Sequence, residues 1–188
     1  MNLDLYNDTY QQYCELLSKP DARILEIGCG PGNITRQILN LNSKLNVLAT
    51  DVSVKMIELT KKNNPTVKTQ VLDCREIKSI QHKFDGIICG FTIPYLEKPD
   101  VIKLIRNSSQ LLRKKGTLYI SFVVGNYLNS GFISESFEKR TYFYYYDLNT
   151  IEEILKLNNL FITNNYEKAY IKTDGSTENH VIIIAQAI

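Results

Sequence analysis

The stretch Leu25-Glu26-Ile27-Gly28-Cys29-Gly30-Pro31-Gly32-Asn33 decides the fold of this chain. Its first residues continue an apolar segment from Ala22 that predicts a strand, and a helical pattern follows over about 33–40. Glycines between a strand and a helix let the backbone approach a ligand, because no Cβ stands in the way. The first turn of the helix also leaves backbone N–H groups free. The stretch therefore predicts either a ligand-binding loop or a purely structural turn.

The spacing of the three glycines narrows the class of ligand. The dinucleotide fingerprint GxGxxG would place its third glycine where Asn33 stands. The phosphate-binding pattern GxxxxGK[ST] would require glycine and lysine where Asn33 and Ile34 stand. The observed GxGxG spacing thus lacks a pyrophosphate clamp and disfavours a nicotinamide oxidoreductase. It better suits a ligand with a small group at this loop, such as an amino-acid moiety.

Two acids follow the next two predicted strands. Asp51 closes strand two, where its carboxylate can accept hydrogen bonds from both hydroxyls of a ribose. The alternative is an acid that stabilises the next helix N-terminus, beside Ser53 as the N-cap. Asp73 closes strand three over 67–72, where it can accept from an exocyclic amine such as that of adenine, while the Cys74 N–H meets a ring nitrogen. The alternative for Asp73 is a solvated loop acid.

The rest of the chain alternates strands with helices. Strands are predicted over 84–89 and 117–124, and helices over 8–18, 53–63 and 148–158, with a further helical stripe from Val101 to Leu112. The alternation implies a parallel sheet covered on both faces. Two extended segments, 161–171 and 181–188, end the chain with only a short turn between them, so they should be antiparallel neighbours.

Composition limits the partners and the compartment. A length of 188 residues suits one domain, and a net charge of +2 argues against nucleic acid or an anionic membrane as the partner. No apolar run approaches the roughly 20 residues that span a bilayer, and Met1–Asn7 shows no signal-peptide pattern. The cysteines show no metal-site spacing, so reduced thiols, a cytoplasmic location and no bound metal are predicted; they are Cys14, Cys29, Cys74 and Cys89.

The ordered motifs resemble those of class I S-adenosylmethionine-dependent methyltransferases. The residues that carry the resemblance are Glu26–Asn33, Asp51, Asp73–Cys74, Phe84–Cys89 and Leu112–Leu118. It covers about 22–124 by motif and extends to the end through the terminal hairpin. It implies an α/β, Rossmann-like three-layer sandwich with a mostly parallel seven-stranded sheet of order 3-2-1-4-5-7-6 and an antiparallel last strand. A single domain over 1–188 is predicted, with an N-terminal helix or cap over 1–20.

The same resemblance implies S-adenosyl-L-methionine as the cofactor. It assigns Gly28–Gly32 to the methionine portion, Asp51 to the ribose, Asp73 with Cys74 to the adenine, and Met56 to the adenine face. The full set of implied cofactor residues is Glu26, Gly28, Cys29, Gly30, Gly32, Asn33, Asp51, Val52, Met56, Asp73, Cys74, Gly90 and Phe91.

The methyl acceptor leaves a weaker signal. Only about 21 residues precede the first strand, whereas members of the family usually carry helices there that roof the active site. The aromatic-rich segment 125–146 is therefore a candidate substrate lid, and alternation would place its tyrosines 142, 144 and 146 on one face. The hypothesis is that these join others in walling a pocket; the tentative set is Tyr6, Tyr10, Tyr95, Tyr142, Tyr144 and Tyr146. The alternative is an extra edge strand whose tyrosines cover the sheet.

The function implied is in-line transfer of a methyl group to an unidentified small-molecule acceptor. The segment Thr92-Ile93-Pro94-Tyr95 lacks the acceptor-Pro-Pro turn of base-methylating enzymes, which disfavours nucleobases. No catalytic base is predicted: His82 lies in a polar turn, Asp85 starts strand four at the far sheet end, and His180 opens the last strand, where a structural role is favoured. The alternative of another class is a non-catalytic partner or sensor subunit with the same fold.

Overall fold

The computed structural model describes residues 3–136, 139–172 and 174–188. Within these ranges the chain alternates strands and helices over its first two thirds and ends in a long hairpin. The helices are α1 (Asn7–Glu15), α2 (Asn33–Leu41), α3 (Val54–Asn63), α4 (Lys98–Leu111) and α5 (Leu148–Leu157). The strands are β1 (Arg23–Ile27), β2 (Asn46–Asp51), β3 (Lys68–Val71), β4 (Phe84–Cys89), β5 (Leu112–Val123), β6 (Gly131–Ser136), β7 (Lys139–Phe143), β8 (Leu160–Ile171) and β9 (Thr177–Ala187).

Seven strands form the main sheet in the order β3-β2-β1-β4-β5-β9-β8. The first five in chain order pair in parallel, whereas β9 runs antiparallel to both β5 and β8. The hairpin β6–β7 forms a separate two-stranded sheet. Counted within the main sheet alone, the order is 3-2-1-4-5-7-6 with an antiparallel last strand. The predicted Rossmann-like α/β fold is confirmed.

Helices cover both faces of the sheet, which explains why its central strands are apolar. All six residues of β4 are buried, as expected for a parallel strand with a helical layer on each side. One core cluster packs against α4 and α5, and the other packs against α1 and α2. In the part of the chain that the structure describes, no helix is long and apolar enough to cross a membrane.

The N-terminal segment packs its aromatic side chains against the sheet. Tyr6, Tyr10 and Tyr13 are fully buried in the cluster on the α1 face. The Tyr10 and Tyr13 rings lie 5.6 and 5.9 Å from the ring of Tyr119 on β5. Tyr10, which was predicted to wall an acceptor pocket, places its ring in the core and borders a pocket between α1 and α2, because α1 is the layer that covers this face of the sheet.

The segment 125–146 forms the hairpin β6–β7 and not an edge strand of the main sheet. It stays beside the sheet through one parallel bridge between Val124 and Tyr146. Tyr146 belongs to the core, because its side chain is 1% exposed and its hydroxyl donates to the Leu96 carbonyl at 2.5 Å. Its predicted place in a pocket wall is wrong. Residues 137 and 138 of this predicted lid lie outside the described residues.

Asp85 lies at the end of the sheet opposite the glycine loop, as its place at the start of β4 predicts, and it binds groups from neighbouring segments there. Its side chain is only 4% exposed, and its oxygens accept from the Arg23 N–H at 2.8 Å and from the Arg113 guanidinium at 2.7 Å. Lys19 Nζ lies 3.3 Å away. Burial raises the pKa of Asp85, but the Arg23 N–H and the two cations outweigh it and hold the pKa below its ordinary value.

Replacing Asp85 with alanine should lower the free energy of unfolding by about 2 kcal/mol, because the part-buried Arg23 N–H loses its acceptor and two cations lose their buried partner. Urea denaturation at pH 7 measures this, with Asp21→Ala, an exposed neighbouring acid, as the control. The carboxylate is more acidic in the folded state, so its contribution is present above an unfolded pKa of about 4 and is lost as the pH falls through the lower folded pKa. If the loss of unfolding free energy in Asp85→Ala stayed constant down to pH 2, it would contradict this assignment.

Candidate active site

A cavity of about 550 Å³ opens at the carboxyl ends of the parallel strands. This is where doubly wound α/β folds bind ligands, because the loops after the strands diverge there. Residues that follow β1, β2, β3 and β4 all contribute to its wall. The lining residues are Gly28, Gly30, Asp51, Val52, Met56, Leu72, Asp73, Cys74, Arg75, Phe91, Thr92, Tyr95 and Leu96.

The glycine loop forms one wall of the cavity with a backbone that favours glycine. Gly28 and Gly30 have φ angles of +67° and +55°, a region that residues with a Cβ rarely adopt. A Cβ on Gly28 would overlap the Thr92 hydroxyl, which donates to the Ile27 carbonyl at 3.2 Å. A Cβ on Gly30 would meet no protein atom within 4 Å, because this residue faces the open cavity. Gly28 thus allows close packing of the loop, whereas Gly30 leaves space for a ligand.

Asp51 joins the loop to the end of β2. One carboxylate oxygen accepts from the Gly30 N–H at 2.9 Å, and the other accepts from the Ser53 N–H at 2.8 Å. Ser53 is the N-cap of α3, as predicted, since its hydroxyl accepts from the Met56 N–H at 3.4 Å. A carboxylate offers about four acceptor positions, so both oxygens keep capacity for a ligand. The Asp51 side chain is therefore compatible with both interpretations, because it binds the N–H of the α3 N-cap residue and also borders the cavity.

Asp73 lies after β3 on another wall of the cavity. Its Oδ1 accepts from the Arg75 N–H at 2.8 Å, and its Oδ2 accepts from the Arg75 guanidinium at 3.0 Å. Arg75 also donates to Asp100 at 2.5 Å, so the loop is fixed from both sides. Partial burial raises the pKa of Asp73, but the hydrogen bonds and charge of Arg75 outweigh it and lower the pKa. The carboxylate is therefore ionised and able to accept a further donor from the cavity.

Glu26 lies beneath the loop and not in the cavity wall. Its side chain is buried, its Oε2 accepts from the Thr35 hydroxyl, and its Oε1 has no partner among the described residues. Burial raises its pKa to about 7, against the lowering effect of the Thr35 hydrogen bonds and with a further rise from the charge of Asp51. The carboxyl group thus titrates near neutrality under the floor of the loop.

Four other predicted cofactor residues do not line the cavity. Cys29 donates its N–H to the Thr50 carbonyl at 2.9 Å, and the Gly32 carbonyl accepts from the Asn64 side chain at 3.0 Å. The Asn33 side chain accepts from Arg36 at 3.0 Å, and a Cβ on Gly90 would overlap the Ile34 side chain. Eight of the thirteen predicted residues therefore border the cavity, and these four and Glu26 lie outside its lining.

Phe91 marks the point where the large cavity meets a smaller one of about 80 Å³. Its φ of +55° is unusual for a residue with a side chain, and its N–H donates to the Ser121 hydroxyl at 2.8 Å. Such backbone strain is concentrated at functional sites, where the surroundings hold it in place. Phe91 and Tyr95 line both cavities. The smaller cavity is completed by Pro94, Val123, Phe143, Tyr170, Glu178 and His180.

Among the six tyrosines predicted to wall an acceptor pocket, Tyr95 lines both of these cavities, whereas Tyr10 borders a separate pocket between α1 and α2. Tyr142 and Tyr144 pack on each other at 4.6 Å, on the face of the hairpin opposite Phe143. It is Phe143 that contacts Tyr95, with ring centroids 5.7 Å apart. The side chains alternate along the strand as predicted, but Phe143 lines the smaller cavity, whereas Tyr142 is exposed and Tyr144 packs against the core cluster on the α4 face.

Tyr6 lies behind the smaller cavity instead of in its wall. Its ring contacts Phe91 at 5.2 Å, and its hydroxyl lies 2.7 Å from Nδ1 of His180. The sequence reasoning missed Phe143, Tyr170, Glu178 and His180 as cavity residues. The signal that could have found Phe143 is the alternation itself. No local pattern marks the other three, because the pairing of β9 with β5 and of β8 with β9 brings them to the cavity.

The described ranges contain no candidate metal site. No group of three or more His, Cys, Asp or Glu side chains there is arranged to hold a metal ion. The four cysteines are free thiols. The absence of metal dependence stays a prediction.

Comparison with known proteins points to one class. A family model described as a methyltransferase domain matches residues 24–116. The chain is 36% identical over 101 residues to the malonyl-[acyl-carrier protein] O-methyltransferase of Bacillus anthracis, covering 53% of this chain and 36% of that protein. It is 28% identical over 109 residues to a ubiquinone biosynthesis O-methyltransferase of Xanthomonas campestris, covering 54% of this chain and 43% of that one.

Solved structures agree on the fold. An S-adenosylmethionine-dependent methyltransferase from Clostridium acetobutylicum superposes with a TM-score of 0.78 at 18% identity, covering all of this chain and 92% of that one. The curated relatives are longer, and the chain spans well under half of their length. Fold, glycine loop and family match together identify the class as a Rossmann-like methyltransferase domain. The match places residues 24–116 in the methyltransferase-domain family, and the whole chain has the fold of solved S-adenosylmethionine-dependent methyltransferases.

Gly28 and Gly30, the two glycines of the loop after β1 that line the cavity, should respond differently to replacement by alanine. Both have positive φ, so each substitution should cost about 1 kcal/mol of unfolding free energy from backbone strain. Gly28→Ala should cost at least about 1 kcal/mol more than Gly30→Ala, because its Cβ must displace the Thr92 hydroxyl. Urea denaturation of both variants measures the difference. Equal costs would show that Thr92 does not pack on the loop as described.

Proposed function

We propose that this chain binds S-adenosyl-L-methionine in the 550 Å³ cavity and transfers its methyl group to a small-molecule acceptor. The observation that carries the proposal is Asp51, which borders the cavity while the Gly30 N–H and the Ser53 N–H hold its carboxylate in place. A fixed carboxylate beside an open glycine loop suits a ligand with two neighbouring hydroxyls and a small charged end. This arrangement fits a nucleoside joined to an amino acid.

Each end of the cavity supplies groups for one part of the cofactor. Asp73 and the Cys74 N–H would meet the adenine, Met56 would pack on its face, and the loop from Gly28 would hold the methionine portion. When bound, the cofactor supplies an electrophilic methyl group on sulfur. The protein orients the reactants and excludes water, effects worth roughly 7–11 kcal/mol in well-oriented systems. Residues 1–188 would act as one domain in this reaction, with the hairpin β6–β7 beside the acceptor.

Titration calorimetry of the intact chain tests the proposal. We expect saturable one-site binding of S-adenosylmethionine and of its demethylated product, and none of a nicotinamide dinucleotide. Binding of the dinucleotide in preference to both would contradict the proposal. A non-catalytic binding subunit would bind the cofactor but release no demethylated product with any acceptor from a metabolite library.

Asp51→Ala should weaken cofactor binding more than tenfold, because charge-assisted hydrogen bonds to the ribose are lost. Calorimetry measures the affinity, and circular dichroism checks the fold. Glu58→Ala, which removes an exposed carboxylate from α3 away from the cavity wall, is the matched control. Unchanged affinity in a folded Asp51→Ala protein would remove the ribose assignment.

Gly30→Val should abolish detectable cofactor binding while the protein still folds. The new side chain would fill open cavity space and meet no protein atom at its Cβ, although the positive φ adds strain. Calorimetry with the demethylated cofactor product, at protein concentrations that detect millimolar affinity, measures the loss. Normal binding by the variant would show that the loop is only a structural turn.

A further inference from the structure

The smaller cavity contains a buried histidine with one unsatisfied ring nitrogen. His180 on β9 is 2% exposed and lines this cavity. Its Nδ1 lies 2.7 Å from the Tyr6 hydroxyl, whereas its Nε2 has no hydrogen-bond partner among the described residues. Leaving a buried polar atom without a partner is unfavourable, so a ligand that supplies one gains binding free energy.

Tyr6 determines which ring nitrogen carries the proton. Burial raises the pKa of the Tyr6 hydroxyl, so it stays protonated and can donate to Nδ1 of His180. Burial lowers the pKa of His180, and nearby Glu178 opposes this only in part, so the ring is neutral at neutral pH. With Nδ1 acting as the acceptor, the proton of the neutral ring lies on Nε2. His180 therefore presents an N–H donor at the cavity.

Glu178 presents an acceptor beside that donor. Its Oε2 lies 3.6 Å from Nε2 of His180, too far for a direct hydrogen bond. Its Oε1 accepts from Lys172 Nζ at 3.1 Å, which orients the carboxylate. The end of the cavity thus holds one donor and one acceptor that do not satisfy each other. A group that both donates and accepts would complete the pair.

The remaining walls are apolar and aromatic. Phe91, Tyr95, Phe143 and Tyr170 line the cavity, and the Tyr170 ring stacks on His180 with centroids 5.0 Å apart and planes 15° apart. Such walls favour a planar, apolar body. Phe91 lines both cavities and its ring lies 5.0 Å from that of His180, so the polar group of a ring bound in the smaller cavity can face His180 and the larger cavity at once.

We propose that this cavity binds the methyl acceptor, and that the acceptor is a small hydroxyl compound with a planar apolar body. Its hydroxyl would donate to Glu178 Oε2 and accept from His180 Nε2–H. A carboxylate would be repelled by Glu178, and an ammonium group would face the Nε2–H donor. The inference rests on the proposed function, because it assigns the acceptor to the cavity that adjoins the cofactor site.

The transfer step then has a defined proton acceptor. The hydroxyl oxygen forms the new bond to the methyl carbon, the carbon–sulfur bond breaks, and its electron pair stays on sulfur. The hydroxyl proton passes to the Glu178 carboxylate. His180 positions the oxygen through Nε2–H, and Tyr6 acts as a positioning residue through Nδ1.

Four ring compounds that differ in one polar group test the inference: phenol, toluene, benzoate and benzylammonium. Ligand-observed NMR measures their affinities for the protein saturated with the demethylated cofactor product. We expect phenol to bind at least fivefold more tightly than each of the other three. Equal affinities, preference for a charged ring, or no phenol binding while the cofactor product binds would overturn the inference and leave the proposed function intact. Failure of the cofactor product itself to bind would defeat the proposed function.

Variants separate recognition from folding. Glu178→Gln should reduce the ratio of phenol to toluene affinity at least threefold, with the affinity for toluene and for the cofactor product within twofold of the original. Glu167→Gln, an exposed acid on the neighbouring strand, should leave the ratio unchanged. Tyr6→Phe removes a single oxygen and should also reduce the ratio of phenol to toluene affinity. It therefore tests the inference if Glu178→Gln fails to fold. An unchanged ratio in a folded Glu178→Gln or Tyr6→Phe protein would overturn the inference.

Discussion

The hydrogen bond between the Gly30 N–H and the Asp51 carboxylate joins the ends of the two strands on which the proposed cofactor site is built. β1 and β2 are parallel neighbours, so their carboxyl ends lie side by side and the residues after them face the same crevice. The left-handed turn at Gly28 and Gly30 brings the backbone N–H toward Asp51, and the Ser53 N–H fixes the second oxygen. The beginnings of α2 and α3 and the open space of the cavity depend on this link.

The two sides of the site arise in different ways. The cofactor side consists of short segments that directly follow strands, so each local motif places its own side chain. The acceptor side draws on the end of β4, the hairpin β6–β7 and the antiparallel pair β8–β9, which lie far apart in the chain. Tyr6 from the N-terminal segment adds the hydroxyl that orients His180. A protein built in this way can keep its glycine loop while the residues around its smaller cavity change.

This difference explains what could be predicted from the sequence. The glycine loop, the strand over 84–89, the Ser53 cap and the terminal hairpin follow from local periodicity and turn chemistry, and they agree with the structure. The sheet order came from the resemblance of the motifs and not from any physical pattern in the chain. Tyr10 and Tyr146 have the same chemistry as a pocket tyrosine, and only packing against the sheet decides that they are buried. His180 looked structural because its contacts with Tyr6 and Glu178 depend on pairings across the whole sheet.

A crystal structure of the chain with the demethylated cofactor product tests the central claim most directly. The account predicts both ribose hydroxyls within hydrogen-bond distance of the Asp51 carboxylate, the adenine beside Asp73 and Cys74, and the sulfur next to Phe91 and Tyr95, where the two cavities meet. A ligand bound with its ribose away from Asp51, or with its sulfur remote from the smaller cavity, would contradict it.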